Sequence, residues 1–500
     1  MTQLLFFKCA YCIFLINIFL FIILKHGIES GDKYPRLYES VKTTLADAFF
    51  EYSQNTNAYI LNTYYYPKSK SLGENGMAMV LLINKNTMRD ITKYQMTLVA
   101  SNGTDEVVVV PKIMNRESDT SCAYTSVVAK TNLLEGMTKL EIKDGETRME
   151  IPFRRPRATV PAPVIVCISP QFLSEQWQLF VTHAHVTKRF GGHLHLYITS
   201  MVGTYYHLIK EYEKHGYVTV DYWIRPKFLS DPDALEPNAN SDWRNQAGAN
   251  TDCLLQYKEA ATFITFVDID EVLFPKGFES YYDEFSFLSF TNPNIDMFLY
   301  DRREYMVAKQ EKMAELNFTE TFGHSYFVPR VDTGKPMARP SNIISLAIHV
   351  SYNTPQQRRM YIRDNFLFHL QKPKERKGNE TDTMMNAAFR DMPTLHARHN
   401  SSDVLDSLQR DFDRMLAIPE IQLISHHLQK DNFYLPLMME CYYGSNRYQE
   451  GKCMNADGCE IPQREDLKCV HSDADYASGP RMSPITFHYH TGPKFLINVN

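Results

Sequence analysis

The sequence predicts an α/β fold: a domain built on a parallel β-sheet, preceded by a β-rich module and by a single apolar span at the amino terminus. Three observations carry this. Between residues 160 and 275, short continuous apolar runs such as Val164–Ile168 and Phe263–Val267 alternate with segments of helical spacing. That is the pattern of βαβ units whose sheet is covered on both faces. Upstream, residues 58–157 are short β-rich runs broken by turn residues. Leu4–Leu24 is 21 residues with one charge, Lys8, and one amide, Asn17. At about 150 residues per domain, the 500 residues correspond to roughly three units. A hydrophobic share of 44%, with 30 Tyr and 30 Phe, excludes a disordered or collagen-like chain. Lys and Arg number 53 against 58 Asp and Glu, a net charge of −5 that gives no electrostatic case for a nucleic-acid partner.

Taken in order, residues 1–25 are expected to be a transmembrane signal anchor. About 20 apolar residues at roughly 1.5 Å each span a bilayer core. A cleaved signal peptide would have a shorter apolar region and small residues at its exit, and Lys25-His-Gly-Ile-Glu-Ser-Gly31 offers no such pattern. Residues 26–57 are polar and mixed, and read as a stem. In the β-rich module, 58–157, the strands Met79–Ile83, Tyr94–Val99, Glu106–Pro111 and Lys139–Lys143 suggest a small sandwich. Arg154–Pro163, with three prolines, reads as a linker. The domain from 160 to 440 then opens with strand Val164–Ile168, helix Trp177–Arg189, strand His193–Ile198, helix Tyr205–His215, strand Tyr217–Tyr222, helix Trp243–Lys258 and strand Phe263–Val267.

The tail, 441–500, holds Cys441, Cys453, Cys459 and Cys469. Zinc sites favour C-x2–4-C pairs, which these spacings do not supply, so a disulfide-stapled tail in an oxidising compartment is expected. Seven cysteines follow the apolar span, leaving at least one thiol free or paired between chains. Four N-x-S/T sequons, at Asn102, Asn317, Asn379 and Asn400, point the same way. The expected topology is single-pass type II, with everything after Lys25 on the lumenal side.

The chemistry is expected where Phe263–Val267 runs into Asp268-Ile-Asp-Glu271. Ligands of α/β sheets collect at the carboxyl ends of the strands. Three acids in four residues, flanked by apolar runs, need compensating charge. Extended geometry would put Asp268 and Asp270 on one face, a pair suited to Mg²⁺ or Mn²⁺ shared with substrate phosphates. Two enzyme classes use such a string. Haloacid-dehalogenase-type phosphatases carry D-x-D-x-[TV], which Asp268-Ile-Asp-Glu-Val272 fits, but on the first strand of the domain. Nucleotide-sugar glycosyltransferases use D-x-D to hold a metal on the donor diphosphate. Here about 100 residues and several strands precede the acids, which favours the second class.

Five segments come in order: Val164–Phe172, Leu208–Val220, Asp242–Ala247, Thr251–Leu255 and Phe266–Pro275. Together they resemble glycosyltransferase family 92, formerly the domain of unknown function 23, over about 160–370. The resemblance implies a GT-A-like (Rossmann-like) glycosyltransferase domain and inverting transfer of galactose from UDP-galactose with Mn²⁺ (or Mg²⁺). The acceptor it implies is a glycan on glycoprotein or glycolipid, with core fucose of N-glycans one candidate, in the Golgi lumen. On that basis Asp268 and Asp270 are expected to ligate the metal, with His349 and His369 as candidates for a further ligand. The family tends to show His-Tyr where this chain has His369-Leu370. Arg244, Asn245, Gln246 and Asp252 are expected to contact phosphate, base or ribose, and Lys335 and Arg339 the diphosphate. Inverting transfer needs a carboxylate base. Among Glu271, Asp301, Glu304 and Asp382 the choice falls on Glu304, after the strand Met297–Tyr300. A catalytically idle carbohydrate-binding protein on the same scaffold is the competing class.

Overall fold

The computed structural model describes residues 56–500 apart from 86–95, 115–121, 230–233, 308–309, 324–325, 352, 372–400, most of 444–463, 480–484 and 500. The expected span at 1–25 and nearly all of the stem at 26–57 lie outside the described residues, as do Asp382 and the sequons at Asn379 and Asn400. Among the described residues no helix is long and apolar enough to cross a membrane.

Residues 57–500 form one compact unit, a mixed α/β fold layered around an eight-stranded sheet. Its strand order is Val218–Tyr222, Gly192–Ile198, Val164–Gln171, Phe263–Val267, Tyr326–Ala338, Met297–Met306, Arg359–Gln371 and Glu271–Leu273. The first four are parallel, and Tyr326–Ala338 runs antiparallel beside Phe263–Val267. The apolar runs explain the parallel half. Val164, Val166 and Ile168 pack into one apolar cluster, Ile165 and Cys167 into another. Alternate side chains leave opposite faces of a strand, so a strand covered on both sides must be apolar throughout. Helices Trp177–Arg189 and Gly203–Lys214 cover the first face through Phe180, Ala184, Leu208 and Ile209. Helix Gln246–Tyr257 covers the second through Ala249, Cys253 and Leu254.

A seven-stranded sheet lies beyond that helix. Four of its strands come from residues 56–132, and Ser200–Val202, Cys469–Ser478 and Ile485–Val499 complete it. The stretches expected as an amino-terminal module and a cysteine-rich tail therefore share one sheet. Tyr59, Leu61, Tyr64 and Tyr66 point to the helix, whereas Ala58, Ile60 and Tyr65 pack on a separate four-stranded sheet. Three disulfides are formed: Cys167–Cys253 ties the eight-stranded sheet to the helix, Cys122–Cys453 ties the amino-terminal strands to the carboxyl-terminal segment, and Cys441–Cys459 closes a loop within that segment. Cys469 is the odd thiol, and it is buried.

One expected helix changes its start. Trp243, Arg244 and Asn245 have left-handed backbone (φ 46, 57 and 58°), and the α-helix begins only at Gln246. Left-handed non-glycine residues are strained. Tertiary ties hold these: Trp223 Nε1 donates to the Arg244 carbonyl (3.1 Å) and Ser126 Oγ to Asn245 Oδ1 (2.7 Å).

At the end of that helix Lys258 is 1% exposed and donates to the carbonyls of Pro340 and Ile343. Burial pushes its ammonium down to about 7. The unfolded chain therefore holds the proton over a range in which the folded chain has released it, and stability rises with pH through that range. Between pH 7 and 9.5 the unfolding free energy is expected to climb by on the order of 1 kcal/mol per pH unit, and Lys258→Met to flatten the slope. Denaturant titrations at stepped pH check this.

Candidate active site

The acids stand at the carboxyl end of Phe263–Val267, where the chain turns back. The Glu271 amide donates to the Asp268 carbonyl (3.0 Å), and the Asp268 amide donates to Glu271 Oε2 (2.9 Å). This reciprocal closure replaces the extended geometry expected for Asp268 and Asp270, because Ile269 and Asp270 form the turn. Glu271 then starts a strand at the far edge of the sheet.

Asp268 is held from two sides. Gln246 Nε2 donates to its Oδ1 (2.7 Å), and Lys335 Nζ lies 2.8 Å from its Oδ2. Lys335 is there because Tyr326–Ala338 pairs Ala338 with Ile264 and Met337 with Thr265, which carries Lys335 to the end of the neighbouring strand. Its side chain is 2% exposed and lies 4.0 Å from Glu271, which is fully buried. Arg302 bridges Glu271 (3.2 Å) and Asp332 (3.1 Å). Burial alone would raise the Asp268 carboxyl, but Lys335, with hydrogen bonds from Lys335, Ser169 and Gln246, holds it well below the usual range. Burial would strip the proton from Lys335, but Asp268 and Glu271 outweigh it and keep the ammonium charged. Burial pushes the Glu271 carboxyl up, with Asp268 and Asp270 adding to it against Lys335.

Asp270 faces another partner. His369 Nε2 lies 3.1 Å from Asp270 Oδ2. The Leu370 amide donates to the Asp270 carbonyl (2.7 Å), fixing the turn on the strand Arg359–Gln371. Burial would lower the His369 imidazole, but hydrogen bonding and charge from Asp270 raise it above its ordinary value. His369 stands in register with Glu271 on one neighbouring strand and with Glu304 on the other. Paired positions share a face of the sheet, so Glu304 and His369 project to the same side. Glu304 is half-buried.

His349 lies in irregular chain rather than after the expected strand. Its Nδ1 is 2.8 Å from the Gly334 carbonyl, and burial, with Lys335 nearby, brings the imidazole down to about 4. The ring is therefore neutral, donating from Nδ1 and leaving Nε2 as a lone pair. Gly334 has no room for a Cβ, since the Tyr300 carbonyl oxygen would lie 1.4 Å from it.

The structure thus brings Gln246, Asp268, Asp270, Lys335 and His369 together, with Glu304 beside His369. Other expectations need correction. Among the described residues no group of three or more His, Cys, Asp or Glu is arranged to hold a metal. Of the four expected ligands Asp270 and His369 pair with each other, Asp268 pairs with Lys335, and His349 bonds the Gly334 carbonyl through Nδ1. Asp252 is 1% exposed and accepts from Tyr64 (2.8 Å) and Tyr197 (2.5 Å), so its carboxylate is consumed inside the core. Asn245 is buried against Ser126. Arg339 binds the carbonyls of Pro293 and Ile295, four residues past Lys335 and toward the other end of the sheet. Arg244 donates to the Tyr442 hydroxyl (2.5 Å) and sits over the Phe172 ring. Sequence reasoning missed Arg302 as the partner of Glu271. The signal was its place two residues before Glu304, on the same face of one strand.

Phe172 also lines a cavity of about 470 Å³ at the carboxyl ends of Val164–Gln171 and Gly192–Ile198. Thr199, Ser200, Arg225, Tyr434 and Asp457 are among its walls. The parallel strands, with acids and a cavity at their carboxyl ends, make this an α/β protein whose candidate ligand site lies at those ends.

Comparison with known proteins gives that site its family. The model of glycosyltransferase family 92 matches residues 162–416. Glycosyltransferase family 92 protein ZK381.2 of Caenorhabditis elegans is 38% identical over 96% of this chain and 96% of its own length. Protein F55C10.4 of the same family and organism is 37% identical over 88% and 90%. The chain belongs to glycosyltransferase family 92. Among solved structures, the Staphylococcus aureus TarS fragment 1–349 in complex with UDP-GlcNAc aligns with 51% of this chain and 73% of its own, at 11% identity and a TM-score of 0.24. A likeness that distant says nothing of this chain's ligands.

Removing the Lys335 ammonium leaves Asp268 without its cation and the fully buried Glu271 with Arg302 alone. Lys335→Met is expected to cost about 3–5 kcal/mol of folding stability, the scale for breaking a buried ion pair from one side. Chemical denaturation measures it, and a loss below about 1 kcal/mol contradicts the network.

Proposed function

We propose that this glycosyltransferase transfers galactose from UDP-galactose to a hydroxyl of a glycan acceptor, with inversion and with Mn²⁺, on a GT-A-type domain. The observation that carries the reading is the division of labour between the two aspartates. Asp268 is neutralised by the buried Lys335, whereas Asp270, about as exposed as Asp268, is paired with His369. A carboxylate oxygen and an imidazole nitrogen 3.1 Å apart are a donor pair that one divalent cation can close on. His349 Nε2, with Nδ1 oriented by a carbonyl, has the arrangement of a metal-binding histidine. Asp270 and His369 would hold the ion, and the donor diphosphate would supply further oxygens. When bound, the ion neutralises charge on the departing diphosphate.

The chain's own groups do the rest. Glu304, on the face of the sheet that carries His369, takes the proton from the acceptor hydroxyl. The hydroxyl oxygen bonds to the anomeric carbon as the carbon–oxygen bond to the diphosphate breaks, and UDP leaves. Gln246 and Lys335 fix Asp268 and so the turn that presents Asp270. Galactose and UDP rest on the family resemblance. The apolar stretch 4–24, the sequons and the three disulfides support a type II protein of the Golgi lumen.

The full chain in detergent, screened with UDP-sugars and a glycan array, is expected to turn over UDP-galactose with Mn²⁺ and to lose turnover in EDTA. Folded protein that turns over no UDP-sugar overturns the reading. Glu304→Gln is expected to lower kcat by about 10²–10⁴ with donor KM little changed. Steady-state kinetics check this, and a loss in KM alone would remove Glu304 as the base.

A further inference from the structure

The cavity at the ends of Val164–Gln171 and Gly192–Ile198 has walls from two distant parts of the chain. Phe172 and Thr199 directly follow the parallel strands, Ser200 opens a strand of the seven-stranded sheet, and Asp457, Ile461, Arg464 and Leu467 come from the carboxyl-terminal segment. Cys122–Cys453 and Cys441–Cys459 fasten that segment on either side of Asp457. Asn455 adds a third tie: it is 3% exposed and its amide donates to the carbonyls of Asn238 and Ser241. The Asp457 amide in turn donates to Asn455 Oδ1 (3.0 Å).

So much anchoring fixes one carboxylate. The Asp457 side chain is 3% exposed, and its Oδ1 lies 2.6 Å from Arg225 Nη2. That oxygen is buried but accepts no hydrogen bond of acceptable geometry. Arg225 balances its charge, and the carboxylate keeps acceptor capacity at the cavity wall that a ligand N–H can fill. Arg225, 43% exposed, has further N–H groups beside it. Side by side, the pair offers an acceptor next to donors. Its complement is a planar ring edge with an N–H next to carbonyl oxygens. Uracil presents that edge. Cytosine reverses it, with a bare ring nitrogen and an amino group. Phe172 and Tyr434 supply aromatic surface on the same walls, and about 470 Å³ lies within the range of small-molecule sites.

We infer that this cavity takes the nucleoside end of the donor, and that Asp457, paired with Arg225 on the disulfide-fastened segment, selects a base with an N–H flanked by carbonyls over one with a bare ring nitrogen. The inference rests on the proposed nucleotide-sugar reading. It adds a specificity residue far in sequence from the strand-end acids and held on them only through the fold.

Calorimetric titration of the full chain with UDP, CDP and inorganic pyrophosphate, each with Mn²⁺, tests it. Wild type is expected to bind UDP at least tenfold tighter than CDP. Asp457→Asn is expected to weaken UDP at least tenfold while CDP and pyrophosphate change less than threefold. Ile461→Trp, which fills the cavity from a partly exposed position, is expected to weaken both nucleotides and spare pyrophosphate. Thermal unfolding of each variant establishes that it is folded. UDP affinity unchanged in both folded variants, or CDP bound as tightly as UDP by wild type, overturns the inference and leaves the donor reading standing. Wild type that binds pyrophosphate but neither nucleotide overturns the donor reading and the inference with it.

Discussion

The Lys335 ammonium, buried between Asp268 and Glu271, is the interaction on which the site depends. Glu271 is fully buried and Asp268 stands close to it at 30% exposure, so their two charges call for a cation, and one placed 2.8 Å from Asp268 meets that need. Gln246, Ser169 and Arg302 satisfy the remaining valences of the cluster. With Asp268 and Glu271 committed, the turn between them is fixed and Asp270 is displayed. The first acid of the motif is thus tied into the fold by Lys335, and the second, paired with His369, is the one proposed to serve the chemistry.

The topology explains how a lysine reaches that point. The sheet is parallel as far as Phe263–Val267 and then reverses with Tyr326–Ala338, which lays Lys335 beside the strand end. The same reversal sets Met297–Met306 and Arg359–Gln371 side by side and parallel, so that Glu304, His369 and Glu271 fall on one line across three strands. On the other side of the strand ends, the carboxyl-terminal segment returns to close the cavity, pinned to Cys122 by one disulfide and looped on itself by Cys441–Cys459. The cavity proposed to take the donor is therefore completed by the chain's last sixty residues, although its central strands lie near the middle.

The parallel half of the sheet was legible because burial on both faces forces apolar runs such as Val164–Ile168 and Phe263–Val267, and the helices between them keep their own period. The acids were legible because charge at such a run's end is rare. Partners brought by distant strands were not. Nothing local marks Lys335, between Gly334 and Pro336, as the counter-ion of Asp268, and Arg339 four residues later looks equally suited yet lies toward the far end of the sheet. Cys122 pairs with Cys453 across 331 residues, a choice no spacing encodes. The left-handed turn at Trp243–Asn245 defies local propensity, since neighbours from Ser126 and Trp223 hold it. Asp252 has the composition of a ligand-binding residue, and only the tyrosine hydroxyls of Tyr64 and Tyr197 reveal that its charge is spent inside.

The division of labour between the two aspartates is most directly tested by measuring Mn²⁺ binding in the presence of UDP, by electron paramagnetic resonance of free Mn²⁺, for Asp268→Asn and Asp270→Asn. The account predicts that Asp270→Asn abolishes UDP-dependent Mn²⁺ binding without loss of folding stability, whereas Asp268→Asn lowers stability and still takes up the ion. Loss of Mn²⁺ binding in a fully stable Asp268→Asn protein, with Asp270→Asn unaffected, would contradict it.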